Sequence, residues 1–322
     1  MLLLVYYLDS IIVCLLNGYT SMYLQEPTMV FTHMYWVFVF ILFKEAVKSK
    51  NLSAKTFTRI FSILIIVCFV LFCRYYMTNQ SEKYSLTGLN VVYYLLFMFP
   101  ILLMSNDKKI VTVGVVLNLI AVLLSGKRGA LIAIVAALVI WRQSDLNYKS
   151  SKEKMLKMLF AIAVGVVAVY GVLEIVERLD LDILDRMQSL LAGEDSGGSG
   201  RTDIWETYWE HMKTDSPWKN LIGRGYSAAK RNPSYRGLGL GWAHNDFLQI
   251  LFDYGIIGLG IFVSIIVKLF AIARRMKAVQ YRYYAPFLSS LVIFVLCCCF
   301  SMVTMLPQWI LPQGLSPNCP TG

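Results

Sequence analysis

The sequence predicts an all-α protein: a polytopic bundle of transmembrane helices with one long outward-facing loop that carries amphipathic helices. Three observations predict it. Hydrophobic residues make up 57% of the chain against 16% charged, and the mean hydropathy is +0.59, which leaves too little polar surface for a soluble domain of this length. Apolar runs long enough to span a bilayer, or nearly so, recur at about 1–16, 29–43, 57–76, 87–104, 109–124, 128–141, 155–173, 246–271 and 284–306. A helix of about 20 apolar residues crosses the hydrocarbon core, so these runs make about nine spans. The third observation is an alternation of charge between successive loops.

That alternation orients the bundle. One set of loops holds Lys44, Lys48, Lys50, Lys55 and Arg59; then Lys108 and Lys109; then Arg142, Lys149, Lys152, Lys154 and Lys157; then Arg274, Arg275, Lys277 and Arg282. The intervening short loops at 17–28 and 77–86 hold only Lys83. Short loops rich in Lys and Arg stay in the cytoplasm, so the long segment 174–245 faces outward. The net charge of +10 is in part this topology signal and calls for no nucleic-acid partner.

The first run, 1–16, lacks a basic start and a small-residue cleavage site, so it reads as a span rather than a signal peptide. Six of the seven cysteines lie in apolar spans, none in a CxxC pair, and Cys319 stands alone in the tail. They read as small hydrophobes without metal or redox chemistry. The apolar start at Met1 and the tail from Leu311 to Gly322 suggest a truncated or frame-shifted version of a larger protein.

The outward segment divides into parts. Residues 178–192 place Leu179, Ile183, Leu184, Met187, Leu190 and Leu191 on one helical face, suited to lying along a membrane surface. Asp180-Leu181-Asp182 could be taken for a metal-holding DxD motif, but its alternation fits the solvated side of that helix. The glycine-rich linker 193–200 follows. An aromatic helix from Thr202 to Met212 then carries Ile204, Trp205, Tyr208, Trp209 and Met212 at spacings of three to four, and Pro217 ends it. Such a stripe suits a membrane interface, and flat rings also stack on sugars. Leu221 to Tyr226 and a basic, glycine-rich stretch lead on to His244.

Cations on the unfavourable face mark the candidate site. Lys127-Arg128 sits in a very short outer turn with Gly126 and Gly129 on either side, and those glycines let a bulky anionic head group approach the backbone. Snorkelling to lipid phosphate is the plainer account of the pair. An arginine fork grips phosphate through paired hydrogen bonds and stays charged at any working pH. Arg201 opens the aromatic helix, whose N-terminus adds partial positive charge, although a solvated loop arginine would look the same. Arg224, Lys230, Arg231 and Arg236 supply general attraction for an anion and rank lower. Of the three histidines, His33 lies in a span and His211 rides on the aromatic helix. His244 stands just before the span that begins near Asp246, where it could cap a helix or take a proton near neutral pH.

The pattern His244-Asn245, nine residues, then Gly255-Ile256-Ile257-Gly258 closely resembles the signature of the O-antigen ligase and O-antigen polymerase family of bacterial membrane glycosyltransferases. The resemblance extends through Ser125-Gly126-Lys127-Arg128-Gly129, Gly200-Arg201-Thr202-Asp203-Ile204-Trp205 and Gly223-Arg224-Gly225, and covers about residues 110–275 in the family's order. It implies a GT-C-like helical bundle that transfers a glycan from undecaprenyl diphosphate at the outer face of the bacterial inner membrane, multi-pass and open to the periplasm. It implies no metal and no cofactor. Arg128 and Arg201 would hold the diphosphate, with Lys127 and Arg224 adding charge, and His244 would be the base. Asn245 and Gly225 would support the site, while Gly255 and Gly258 read as helix-packing positions. The family usually has further spans after those seen here.

These readings divide the chain into N-terminal transmembrane helices (1–109), a catalytic region (110–275) that includes the periplasmic loop 174–245, and a last span with an atypical tail (276–322). Fixed arginines can stabilise a departing diphosphate in place of a metal, and a histidine can deprotonate the attacking hydroxyl, which gives single displacement with inversion. The expected partners are the undecaprenyl diphosphate-linked glycan, an acceptor glycolipid, membrane lipids and a chain-length regulator. A polymerase, adding to another lipid-linked repeat, ranks ahead of a ligase, whose acceptor is a lipid A-core sugar. A transporter or flippase of the same lipids would need charges along a central path and repeated halves, neither of which is visible.

Overall fold

The computed structural model describes residues 5, 8–9, 11–13, 16, 54–78, 91–125, 127–144, 201–231, 242–279 and 281–300. The spans expected at 29–43 and 155–173, most of 1–16, the amphipathic helix 178–192, the linker 193–200, Gly126, Arg236 and the tail lie outside the described residues.

The described residues include nine helices, in order α1 (Ala54–Thr78), α2 (Val91–Leu102), α3 (Lys108–Leu124), α4 (Arg128–Ser144), α5 (Arg201–Thr214), α6 (Pro217–Ile222), α7 (Ala228–Arg231), α8 (Asp246–Val279) and α9 (Tyr281–Phe300). Asp246–Lys277, within α8, is long and apolar enough to cross a membrane. Ile256, Ile257, Val263 and Val267 of α8 are exposed, as are Ile60, Ile63, Leu64, Ile66, Val67, Val70 and Leu71 of α1. Bands of aliphatic side chains that wide suit lipid rather than water.

The chain forms two compact units. One comprises 54–202 and 270–297, the other 1–53, 203–269 and 298–322. In the first, α1 packs on α2 and α3, α2 also on α3 and α4, and α3 on α4. Both ends of α3 are capped locally. Asp107 accepts a hydrogen bond from the Lys109 N–H (2.9 Å) to start α3, and Ser125 closes it through its N–H to the Ala121 carbonyl and its hydroxyl to the Val122 carbonyl (2.7 Å). Ser289 of α9 donates to the Ala137 carbonyl of α4 (3.0 Å), so a buried hydroxyl fastens those two helices.

In the second unit, α5 lays Tyr208 and Met212 against Ala228, Ala229, Ala243, Leu248 and Phe252, with Ile204, Trp205 and Leu251 at the margin. The aromatic stripe is thus largely a core face. Tyr208 is fully buried with its ring edge-on to Phe252 (centroids 4.8 Å apart), and Trp209 is the aromatic of α5 left exposed. The interface and sugar-stacking readings of the stripe apply at most to Trp209. Pro217 does not end α5, which stops at Thr214; it occupies the first turn of α6 behind the cap Ser216. That is where a proline's missing N–H costs nothing.

Candidate functional site

The signature residues around His244 converge on the first turns of α8. Asn245 caps that helix: its Oδ1 accepts from the Leu248 N–H (3.1 Å) and its carbonyl from the Gln249 N–H (2.9 Å). Asp246 follows in the first turn, where its charge favours the positive end of the helix. The cap is therefore Asn245, and His244, part-buried, precedes it with φ +50°. A side-chain-bearing residue in that left-handed region carries roughly 1–3 kcal/mol of strain, held by its surroundings. The surroundings are specific. Trp205 Nε1 donates to the Ala243 carbonyl (2.6 Å), and the Ala243 N–H donates to Gln249 Oε1 (3.1 Å). His244 thus leaves a residue clamped on both its peptide groups and enters a capped helix.

Nine residues on, the second half of the signature serves the same loop. Gly255 has φ +67° and ψ −169° and breaks α8 into a short buried segment, 246–254, and a longer apolar one. A Cβ there would meet the backbone of Leu221 and Gly223, 2.6 Å from the Gly223 nitrogen. Gly223, itself at φ +93°, presses on Asp253 and Tyr254 in return. So Gly255 is a kink and a loop contact rather than a helix-packing position. Gly258 does pack closely: a Cβ there would overlap Tyr254 and stand 3.1 Å from Asp9 Oδ2 of the N-terminal segment.

This glycine contact brings the Gly223-Arg224-Gly225 block onto α8. The Asp253 carbonyl accepts from the N–H groups of Arg224 (2.9 Å) and Gly225 (2.8 Å). The Asp253 carboxylate accepts from the Ser227 N–H (2.9 Å), the Ala228 N–H (3.1 Å) and Gln249 Nε2 (3.0 Å), and so caps α7 from a distance. Tyr208 completes the network by donating to Gln249 Oε1 (3.1 Å). Burial and the nearby Asp253 carboxylate push the Tyr208 phenol up, so it remains a donor at any working pH.

Arg224 departs from expectation. It is 0% exposed. Its Nε bonds Asp215 Oδ2 (2.8 Å), Nη2 bonds Asn220 Oδ1 (2.6 Å), Nη1 bonds the Phe252 carbonyl (3.3 Å), and the guanidinium lies 4.4 Å from the Phe252 ring centre. A guanidinium so enclosed braces the loop and has no face for a substrate anion. The reason is non-local, since its partners come from α6, the turn before it and α8.

Three further candidate cations lie at helix starts, while Lys230 and Arg231 are the last two residues of α7. Lys127 precedes α4, accepts the Ala130 and Leu131 N–H groups on its carbonyl (both 3.1 Å), and holds its ammonium 5.3 Å from the Tyr93 ring centre. Arg128 is the first residue of α4 and Arg201 the first of α5. Lys127, Arg128 and Arg201 belong to one unit, and Arg224, Gly225, His244, Asn245, Gly255 and Gly258 to the other. Sequence reading overlooked Gln249 and the roles of Trp205 and Asp253. The available signal was a polar pair, Gln249 and Asp253, four apart inside an apolar run.

Residues 113–263 match the protein family described as O-antigen ligase. The match runs from within α3 to within α8 and so takes in Lys127, Arg128, Arg201, Arg224 and the whole His244 region. No curated protein matches the chain.

Proposed function

From the match of residues 113–263 to the O-antigen ligase family, we propose that this chain is a membrane enzyme that transfers a glycan from undecaprenyl diphosphate to a sugar hydroxyl at the periplasmic face of the inner membrane. His244 takes the acceptor proton as the hydroxyl oxygen attacks the anomeric carbon. The bond from that carbon to the diphosphate breaks on the opposite side, with inversion, and undecaprenyl diphosphate leaves. The charge that develops on the leaving group calls for fixed cationic donors, which are worth most where charge appears, and Arg128, Arg201 and Lys127 are the candidates for that role. Arg224, buried in its own hydrogen bonds, is left out of that contact and braces the loop instead.

The observation that carries the reading is His244 held at φ +50° ahead of a capped helix, inside the matched region. Strain of this kind is kept where position matters more than stability. The ligase outcome now stands ahead of the polymerase, reversing the order expected from sequence, because the family matched is described as O-antigen ligase.

The test is a gel of surface glycan from the host strain lacking this gene, complemented with the parent chain or with His244→Ala. Polymer left on the undecaprenyl carrier beside a bare acceptor lipid, corrected only by the parent, supports the ligase. Single repeats on the acceptor, restored to a ladder, support the polymerase. Rescue by His244→Ala removes His244 as the base.

A further inference from the structure

We infer that Gln249 is a positioning residue for His244, acting through Ala243, with Trp205 as its counterpart on the far side of the same residue. The inference rests on the reading of His244 as base. Gln249 is buried in the apolar run of α8, where a carboxamide without partners would be costly. All its bonds point toward one task. Oε1 accepts from the Ala243 N–H and the Tyr208 O–H, both at 3.1 Å, while Nε2 donates to Asp253 Oδ2 at 3.0 Å.

The Asp253 contact fixes which end of the amide faces Ala243. Turned over, the amide would set its oxygen against a carboxylate and its NH2 against the Ala243 N–H. Asp253 cannot swing to accommodate that, because it also holds the Ser227 and Ala228 N–H groups. Trp205 then anchors the peptide plane that enters His244, and the residue that follows, Asn245, is fixed by its side chain and carbonyl as the cap of α8. With both neighbours held, the left-handed φ of His244 has no route to a relaxed value, and the imidazole keeps its place. Leucine at 249 would match the volume and the apolar run but would take this partner from the Ala243 N–H, the Tyr208 O–H and Asp253. The polar residue is explained by what it holds.

The experiment uses the full chain, purified in detergent, with undecaprenyl diphosphate-linked repeats extracted from the deletion host as donor. Gln249→Leu should lower kcat about 100-fold, the scale on which a 1 Å displacement acts, with KM within about threefold of the parent. Gln249→Glu supplies the signature that simple damage would not. When protonated, its O–H donates to Asp253 and its carbonyl accepts from Ala243 and Tyr208, reproducing the amide. When ionised, it sets a second carboxylate against Asp253. Among the described residues, the titratable and charged groups around this position are Tyr208 from α5, Arg224 from the turn before α7, His244 beside the bonded Ala243, and Asp246 and Asp253 from its own helix. Activity relative to the parent should therefore be near parental at low pH and fall by about tenfold per pH unit above the introduced group's pKa.

Parental kcat in Gln249→Leu overturns the inference. So does a Gln249→Glu to parent ratio that is flat with pH, and that ratio decides the matter if the leucine form does not fold. His244→Ala is assayed alongside. Parental activity there sinks the base reading itself, whereas an inactive His244→Ala beside a fully active Gln249→Leu sinks only the positioning role.

Discussion

Gly255→Ala separates a kink from a packing position. At φ +67° and ψ −169°, Gly255 lies in a region that is essentially glycine's alone, and an L-residue there costs roughly 1–3 kcal/mol. The new Cβ would also stand 2.6 Å from the Gly223 nitrogen and the Leu221 carbonyl carbon. Backbone cannot turn aside as a rotamer can, so overlap adds a further ~1–3 kcal/mol. The sum, about 2–6 kcal/mol, is a large part of an ordinary folding free energy of about 5–15 kcal/mol. The displaced element is the turn that carries Arg224 to Phe252 and Ser227 to Asp253, so transfer should fall with stability. Gly260→Ala is the control: nothing lies within 4 Å of its Cβ position, and gain of helix propensity should raise stability by about 0.5–1 kcal/mol. The assay is the apparent melting temperature of both variants in detergent, followed by their transfer rates. Equal melting temperatures for parent and Gly255→Ala would refute the reasoning.

Other variants address separate parts of the site. Arg224→Ala leaves Asp215 with Lys219 as its remaining ionic partner and should destabilise the loop by about 1.5–3 kcal/mol, read as faster limited proteolysis within residues 215–231. Arg224→Lys should restore little, because an ammonium cannot meet Asp215, Asn220 and the Phe252 carbonyl together. Asn245→Ala removes the cap of α8 and should cost about 1 kcal/mol, with Asn245→Ser recovering most of it in the same melting assay. His244→Gly relieves the left-handed strain and should match or exceed the parent in melting temperature while transferring no glycan; a clear loss of stability would show that the φ of His244 is not strained.

Among the described residues, hydropathy and end signals place most helices within a few residues, because they act locally. The expected run 109–124 is α3 at Lys108–Leu124, 128–141 is α4 at Arg128–Ser144, and Thr202–Met212 is the body of α5. Asn245 is legible as an N-cap for the same reason: its partners are three and four residues away. The four motif blocks also point to the family from residue order alone, and residues 113–263 match it.

What the sequence could not decide is which way a side chain faces once distant segments meet. Arg224 looks like every other loop cation until Phe252, 28 positions on, supplies a carbonyl and a ring face. Tyr208 and Trp205 look like membrane-interface aromatics until Gln249 and Ala243, 41 and 38 positions on, take their O–H and N–H. The kink at Gly255 likewise has meaning only against the backbone of Leu221 and Gly223. Helix formation depends on neighbours a turn apart, so the chain's order records it. The burial of a charge and the clamping of a strained histidine depend on contacts that exist only after folding, and tertiary structure alone assigns them.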